Sequence, residues 1–214
     1  MRKKTEETRK KILKAAKEEM LLVGYQNASM RKIATSVGIT AGALYKHFAS
    51  KEEIFEVICD DVINRLFMIQ KSLLIDDFKH VSDEDLLGIF QKKVSIQMLM
   101  KFKEDFPVLH MIVQHGNPDY YARKKAEYLD LSVGFATEYY AELYRRGLIC
   151  KQYTNEELYM LAQAEFLALC TFLERADQRI NEADLKAYET LLSVVSKGIQ
   201  VDCGMDWGKN HEKV

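Results

Sequence analysis

SMRKIATSVGITAGALYKHF, residues 29–48, decides how this chain is to be read. Ser29 is placed to cap a short helix, Met30–Val37, that turns Ile33 and Val37 inward. Gly38 breaks it. Thr40 caps a second short helix over Ala41–His47, with Leu44 inward. Ala34 is small enough for the second helix to pack closely across the first. Gly38 supplies the positive φ that the tight turn needs and a side chain would resist. Ile33, Val37, Ile39 and Leu44 then form a small core, and the second helix holds its N-terminal residues outward. That is the geometry of an element entering a major groove. An Ala-x-x-x-Gly spacing alone fits any helical hairpin. The outer residues add what the spacing lacks: Thr40, Ala41, Gly42, Tyr45, Lys46 and His47 are small, hydroxyl-bearing or basic, with no carboxylate. Tyr45 and His47 are suited to donate to phosphate, and Lys46 to neutralise it. Ser29 and Arg31 begin the preceding helix, whose N-terminal amides suit an anion. Lys51 stands in the first turn of the next helix, where a cation opposes the dipole; phosphate binding would account for it.

Working outward, Ile12, Ala16, Met20 and Val23 recur at helical spacing and predict a first helix over Thr5–Val23, with Gly24 as its left-handed cap. Ser50 and Glu53 form a capping box. The helix they open carries Ile54, Phe55, Ile58, Val62, Leu66 and Ile69 out of the basic region. A polar connection near Asp76–Asp83 precedes a helix over Asp83–Lys103. Pro107 interrupts, and a short apolar helix runs to His115. Gly116-Asn117-Pro118-Asp119 is a turn into a long helix that ends at Arg146 before Gly147. Thr154 and Glu157 form another capping box, for a helix to Arg175. Asn181 caps the last helix, to Gln200. The pattern predicts an all-α chain of about nine helices. Residues 1–50 form a helix-turn-helix domain linked by the helix over 51–70, residues 51–201 a second domain, and residues 202–214 a frayed tail.

Charge agrees with a basic end that meets a polyanion. The 214 residues carry a net charge of −1, but residues 1–51 hold 12 Lys and Arg against 4 Asp and Glu. The remainder holds 19 against 28. That asymmetry suits nucleic acid, and equally a solvated helix face. No apolar run approaches the roughly 18–20 residues of a membrane span. Met1-Arg2-Lys3-Lys4 is basic but lacks the apolar stretch of a secretory signal. Cys59, Cys150, Cys170 and Cys203 are scattered without C-x-x-C spacing, the usage of reduced thiols in the cytoplasm, and no metal site is expected.

The stretch resembles the DNA-binding domain of the tetracycline-repressor (TetR) family of bacterial transcriptional regulators. The likeness rests on RKIA at 31–34, GITAGALYKHF at 38–48, SKEEIF at 50–55, ILKAA at 12–16 and the Gly24-Tyr25 turn, and spans about Thr8–Val62. Met30 departs from it, where a β-branched residue is usual. The resemblance implies phosphate and base contacts at Ser29, Arg31, Thr40, Ala41, Gly42, Tyr45, Lys46, His47 and Lys51. By chemistry, Lys46 best suits a guanine edge, and Ala41 or Ala43 a thymine methyl. Tyr45, His47 and Lys51 belong with the phosphate contacts that position without specifying.

The resemblance also implies a homodimer on palindromic double-stranded DNA, joined through the last two helices. Leu158, Leu161, Glu165, Leu169 and Phe172 form an expected stripe on one of them, and Leu185, Tyr188, Leu192 and Val195 on the other. It places a small-molecule effector among the middle helices. Phe90, Met98, Phe102, Met111, Tyr121, Tyr128, Phe135 and Tyr139 are the candidate walls there, suited to a mostly apolar ligand. His110, His115, Arg123 or a tyrosine hydroxyl would be the polar anchor. The expected function is a repressor released from its operator by that ligand; an activator, or a regulator without an inducer, is the alternative. No cofactor and no catalytic residue is expected. H-E-x-x-H, E-x-x-H, G-x-x-x-x-G-K and G-x-G-x-x-G are all absent from the sequence.

Overall fold

The computed structural model describes residues 2–73, 78–92, 103–175 and 182–204. Among them are nine α-helices: α1 (Arg2–Val23), α2 (Met30–Val37), α3 (Ala41–Tyr45), α4 (Lys51–Leu73), α5 (Asp83–Lys92), α6 (Phe106–His115), α7 (Pro118–Arg145), α8 (Asn155–Arg175) and α9 (Glu182–Asp202). Short 3-10 turns, Phe78–His80 and Lys103–Asp105, precede α5 and α6. The described residues contain no strand.

Capping chemistry sets several boundaries. Glu53 N–H donates to Ser50 Oγ at 3.1 Å, and the Glu53 carboxylate reaches back to Ala49 N–H at 2.6 Å. Thr154 and Glu157 cap each other directly: Glu157 N–H donates to Thr154 Oγ1 at 3.2 Å, and Thr154 N–H to the Glu157 carboxylate at 2.9 Å. Pro107 lies in the first turn of α6 rather than before it, where its missing N–H costs no helical bond. Asn117 caps α7 by accepting from the amides of Asp119 and Tyr120. α1 begins before the expected Thr5, and α3 ends at Tyr45 rather than His47. The expected Asn181 cap and the stretch of the Asp83–Lys103 helix beyond Lys92 lie outside the described residues.

One apolar cluster joins Ile12, Met20, Ile33, Leu44 and Phe55 of the first four helices, and Phe48 between α3 and α4, to Val108, Ile112, Tyr120, Phe172 and Tyr188. A second cluster packs Phe78, Leu86, Phe135, Tyr139, Leu143, Leu158, Ile199 and Cys203. At its edge Arg146, just past α7, donates to the carbonyls of Val81 (2.7 Å) and Phe78 (2.6 Å) and pairs with Asp83 and Glu142. The start of the expected tail is held, not frayed. Asp202 bonds Lys151 (2.7 Å) and Tyr153 (3.0 Å), and Cys203 is fully buried.

Candidate nucleic-acid interface and effector cavity

The short α3 is placed by the two ends of its neighbours. Gly38, at φ 75° and ψ 31°, closes α2. Its N–H bonds Thr35 O and the next amide, of Ile39, bonds Ala34 O, both at 3.0 Å. This is a paired C-terminal closure that requires the left-handed conformation. Thr40 then caps α3 by accepting from Ala43 N–H at 3.1 Å. Leu44 is completely buried and anchors the helix to the core. Five residues would not hold a helix in isolation; the two caps and Leu44 hold this one.

The opposite side of α3 is open. Thr40, Gly42, Tyr45 and Lys46 are exposed, and Ala41 and His47 half-buried. Arg31 is exposed on α2. Ser29 accepts from Lys32 N–H at 3.5 Å, which leaves its hydroxyl proton free to turn outward. These eight candidates lie at the N-terminus of α2, along α3 and just past its end, and none is fully buried.

Lys51 is placed differently from the expectation. Its ammonium donates to the carbonyls of Gln26 (2.9 Å) and Ala28 (3.4 Å) and lies 4.8 Å from the Tyr25 ring centroid. The α1–α2 turn thus accounts for a cation at a helix N-terminus without any phosphate. Tyr25 completes this tie by donating to Glu52 Oε1 at 2.9 Å. Burial and that carboxylate push the Tyr25 hydroxyl up to about 12, so it remains a donor.

Arg9 was not singled out by the sequence, where it reads as one more charge off the apolar stripe. In the structure it stacks 4.0 Å over Phe48 and donates to His47 O at 2.8 Å. It fixes the carbonyl end of α3 from below. Its pairing depends on residues 38 or more positions away, which no local pattern reveals.

A second contact set joins α4 to the start of α7. Tyr120 donates to Asp60 at 3.0 Å, with Lys124 also 3.0 Å from that carboxylate. Arg123 pairs with Glu56 at 2.9 Å, and Phe55 meets the Tyr120 ring edge-on at 5.4 Å. Any shift of α7 is therefore felt by α4, and through Phe55 and Tyr25 by the α1–α2 turn.

The five candidate effector residues whose side chains are described fall in different clusters. Phe135 and Tyr139 line a cavity of about 20 Å3 between α7, α8 and α9, with Tyr140, Leu158 and Glu165. That is room for about one water. Tyr121 and Tyr128 instead flank Phe166, at 6.1 and 5.1 Å between ring centroids, and Met111 is buried in the larger cluster. The side chain of Phe90, and Met98 and Phe102 altogether, lie outside the described residues. So does the side chain of His115. Of the other proposed anchors, His110 Nδ1 lies 2.9 Å from Leu173 O, and Arg123 is engaged by Glu56. Tyr139 donates to Leu86 O at 3.0 Å. Burial raises the hydroxyls of Tyr128, Tyr139 and Tyr140 well above the usual tyrosine range, which keeps them protonated donors.

The nine residues expected at a dimer interface make contacts within their own chain, and six of them are only half-buried. Leu158, Phe172 and Tyr188 are buried, and Phe172 stacks on Tyr188 at 4.8 Å between α8 and α9. Leu169, Leu185 and Leu192 pack on the larger cluster and Leu161 and Val195 on the second, while Glu165 lines the cavity. The exposed apolar residues lie on the other face: Met160 and Leu167 on α8, and Leu191, Val194 and Val201 on α9.

Residues 12–58 match the family profile described as bacterial regulatory proteins, tetR family. That segment holds every one of the nine interface candidates. Over that segment the chain is similar to the DNA-binding domain of the TetR family. An HTH-type transcriptional regulator of Staphylococcus aureus (strain USA300) is 28% identical over 192 residues, 90% of this chain and 94% of its own. Two solved structures share the fold. SmeT, the repressor of the Stenotrophomonas maltophilia multidrug efflux pump SmeDEF, superposes with a TM-score of 0.66 at 18% identity, covering 89% of each chain. NalD, the secondary repressor of the MexAB-OprM multidrug efflux pump in Pseudomonas aeruginosa, gives 0.63 at 19% identity, covering 92% of this chain and 97% of its own. The curated relatives it resembles are named HTH-type transcriptional regulators. Among the described residues no helix is long and apolar enough to cross a membrane.

Proposed function

We propose that the chain is a homodimeric repressor that leaves a palindromic operator when a small, mostly apolar ligand binds its α5–α9 body. The observation that carries DNA reading is the open, carboxylate-free face of α3, held outward by Leu44 and two caps. Ser29, Arg31, Thr40, Ala41, Gly42, Tyr45, Lys46 and His47 make the contacts, and Lys51, two of whose three donors serve the α1–α2 turn, has one left for a phosphate. Residues 1–50 are the reading unit, α4 over 51–70 the link, and 51–201 the ligand-binding and dimerising unit. Two copies of α3 spaced about 34–36 Å apart would meet successive major grooves. A ligand shifts that spacing only by binding one arrangement better than the other. The α4–α7 contacts are the mechanical route between them. That SmeT and NalD are repressors supports the direction of control.

A second reading is a TetR-family regulator that works without a small effector; the cavity at Phe135 and Tyr139 has room for about one water. An effector of drug size needs hundreds of Å3, so the helices and aromatic side chains around Phe135 and Tyr139 would have to part. Binding to duplexes from the DNA beside the chain's own gene, over a salt series, tests the first claim. Tight, palindrome-dependent binding with log affinity linear in log salt is expected. Lys46→Ala should either flatten the salt slope by about one, if it meets phosphate, or relax preference at one base pair at a cost of about 1–3 kcal/mol. Absence of binding at low salt would refute DNA reading by α3. Release of that duplex by apolar compounds then separates the two readings.

A further inference from the structure

We infer that Cys150 and Cys203 form a reversible intrachain disulfide that staples the α7–α8 loop to the end of α9. The two residues are direct backbone partners: Cys150 N–H donates to Cys203 O at 2.9 Å. That single bond brings the two backbones alongside each other, and a disulfide spans Cα atoms about 4.4–6.8 Å apart. The Cys150 thiol points at the same place, with its Sγ 3.2 Å from Cys203 O. The register is fixed on the next residues by Lys151 to Asp202 at 2.7 Å and Tyr153 to Asp202 at 3.0 Å. Gly204 adds a second requirement. A Cβ there would fall 2.5 Å from Cys150 Sγ, so the thiol occupies a seat that only glycine leaves open.

The two thiols are unequal in a way that suits a switch. Cys150 is exposed, and Cys203 is fully buried behind it. A hydroperoxide reaches the first and not the second. The Cys150 thiolate attacks the peroxide oxygen, the O–O bond breaks, and water or an alcohol leaves with the proton. Cys150 is then a sulfenic acid. The Cys203 sulfur attacks it, the S–O bond breaks as S–S forms, and water carries away the Cys203 proton. Two electrons pass from the two thiols to the peroxide, and a small dithiol reverses the bond by exchange. The Cys203 sulfur must turn from the cluster it shares with Tyr139, Tyr140, Leu158 and Ile199, all of which line the cavity. Oxidation therefore takes a sulfur out of the packing behind the cavity wall.

The test uses the full chain, reduced and desalted, then treated with hydrogen peroxide. Two of its four thiols should be lost, with the peptide holding Cys150 linked to that holding Cys203 and the link reversed by dithiothreitol. Cys59 and Cys170, buried in other clusters, should remain free. In Cys203→Ser, Cys150 should stop at a sulfenic acid trapped by dimedone. Four free thiols after peroxide, or Cys150 over-oxidised to sulfinic acid with Cys203 still free, would overturn the inference. So would a link between chains instead of within one. If Cys203→Ser does not fold, the wild-type peptide map and Cys150→Ser decide the matter.

Discussion

At the scale of single residues, Gly38 and Glu142 make opposite kinds of demand. Gly38 sits at φ 75° with open space where a Cβ would stand, so Gly38→Ala meets no clash. Its cost is backbone strain alone, about 1 kcal/mol. Urea unfolding should show that loss, and a destabilisation of several kcal/mol would mean that packing was involved after all. Glu142 is nearly buried, and its hydrogen bonds from Arg145 and Arg146 hold its carboxyl down at about 2, against an ordinary 4.5. A carboxylate whose pKa is lowered by folding stabilises the fold above its unfolded value and loses that contribution as pH falls. Here the loss should run from about pH 4.5 down to 2. Arg146→Ala should flatten the acid limb of the stability profile over that window, and should lower the thermal midpoint by releasing the Phe78 and Val81 carbonyls. An unchanged acid limb would show that Arg145 alone sets the carboxyl.

At the scale of elements, α3 is the most exposed to loss of a single cap. It has five residues, and Thr40 satisfies one of its few free amides. Thr40→Ala should cost about 1 kcal/mol, and hydrogen exchange should show that loss concentrated in residues 41–48. Uniform exchange across α1–α4 would mean that α3 does not open separately. This element was legible in the sequence because its caps, its glycine and its inward residues all lie within twenty positions and agree with one another. The long helices were harder. α8 is apolar on two faces, and a periodicity reading selects the more populated one. That face, with Leu158, Leu161, Phe166, Leu169 and Phe172, packs inside the chain. The outward stripe is thin and includes Ala164 and Thr171, which hydrophobic patterning undercounts. Lys51 shows the other limit. Its helix position was readable, but its partners at Gln26 and Ala28 exist only once α1, α2 and α4 have met.

At the scale of the whole molecule, that outward stripe has a consequence. On α8 it runs Met160, Ala164, Leu167, Thr171, and on α9 Ala187, Leu191, Val194, Gly198, Val201, all exposed. Both follow alternating steps of four and three, the seam of helices that pack lengthwise on others. The small residues between the large ones would let two such surfaces approach closely. α8 and α9 already pack on each other through Phe172 and Tyr188, so in the proposed homodimer the two stripes would meet the same stripes of a second copy. A four-helix interface of this kind puts Leu167 and Val194 near its centre. Leu167→Glu would bury a carboxylate there, at a cost of about 3 kcal/mol or more. That is at least roughly a hundredfold in the dimer dissociation constant. Sedimentation at micromolar concentration should then show monomer for Leu167→Glu and dimer for the wild type. Phe172→Leu, inside the chain's own packing, should lower stability and leave the dimer intact. The reverse pattern, with Leu167→Glu still dimeric, would place the partner surface elsewhere. Because Leu167 is 52% exposed in the single chain, its glutamate variant should fold, and its DNA affinity then reads the contribution of pairing two recognition helices. One α3 alone makes half the phosphate contacts, so the slope of log affinity against log salt should fall by about half as well.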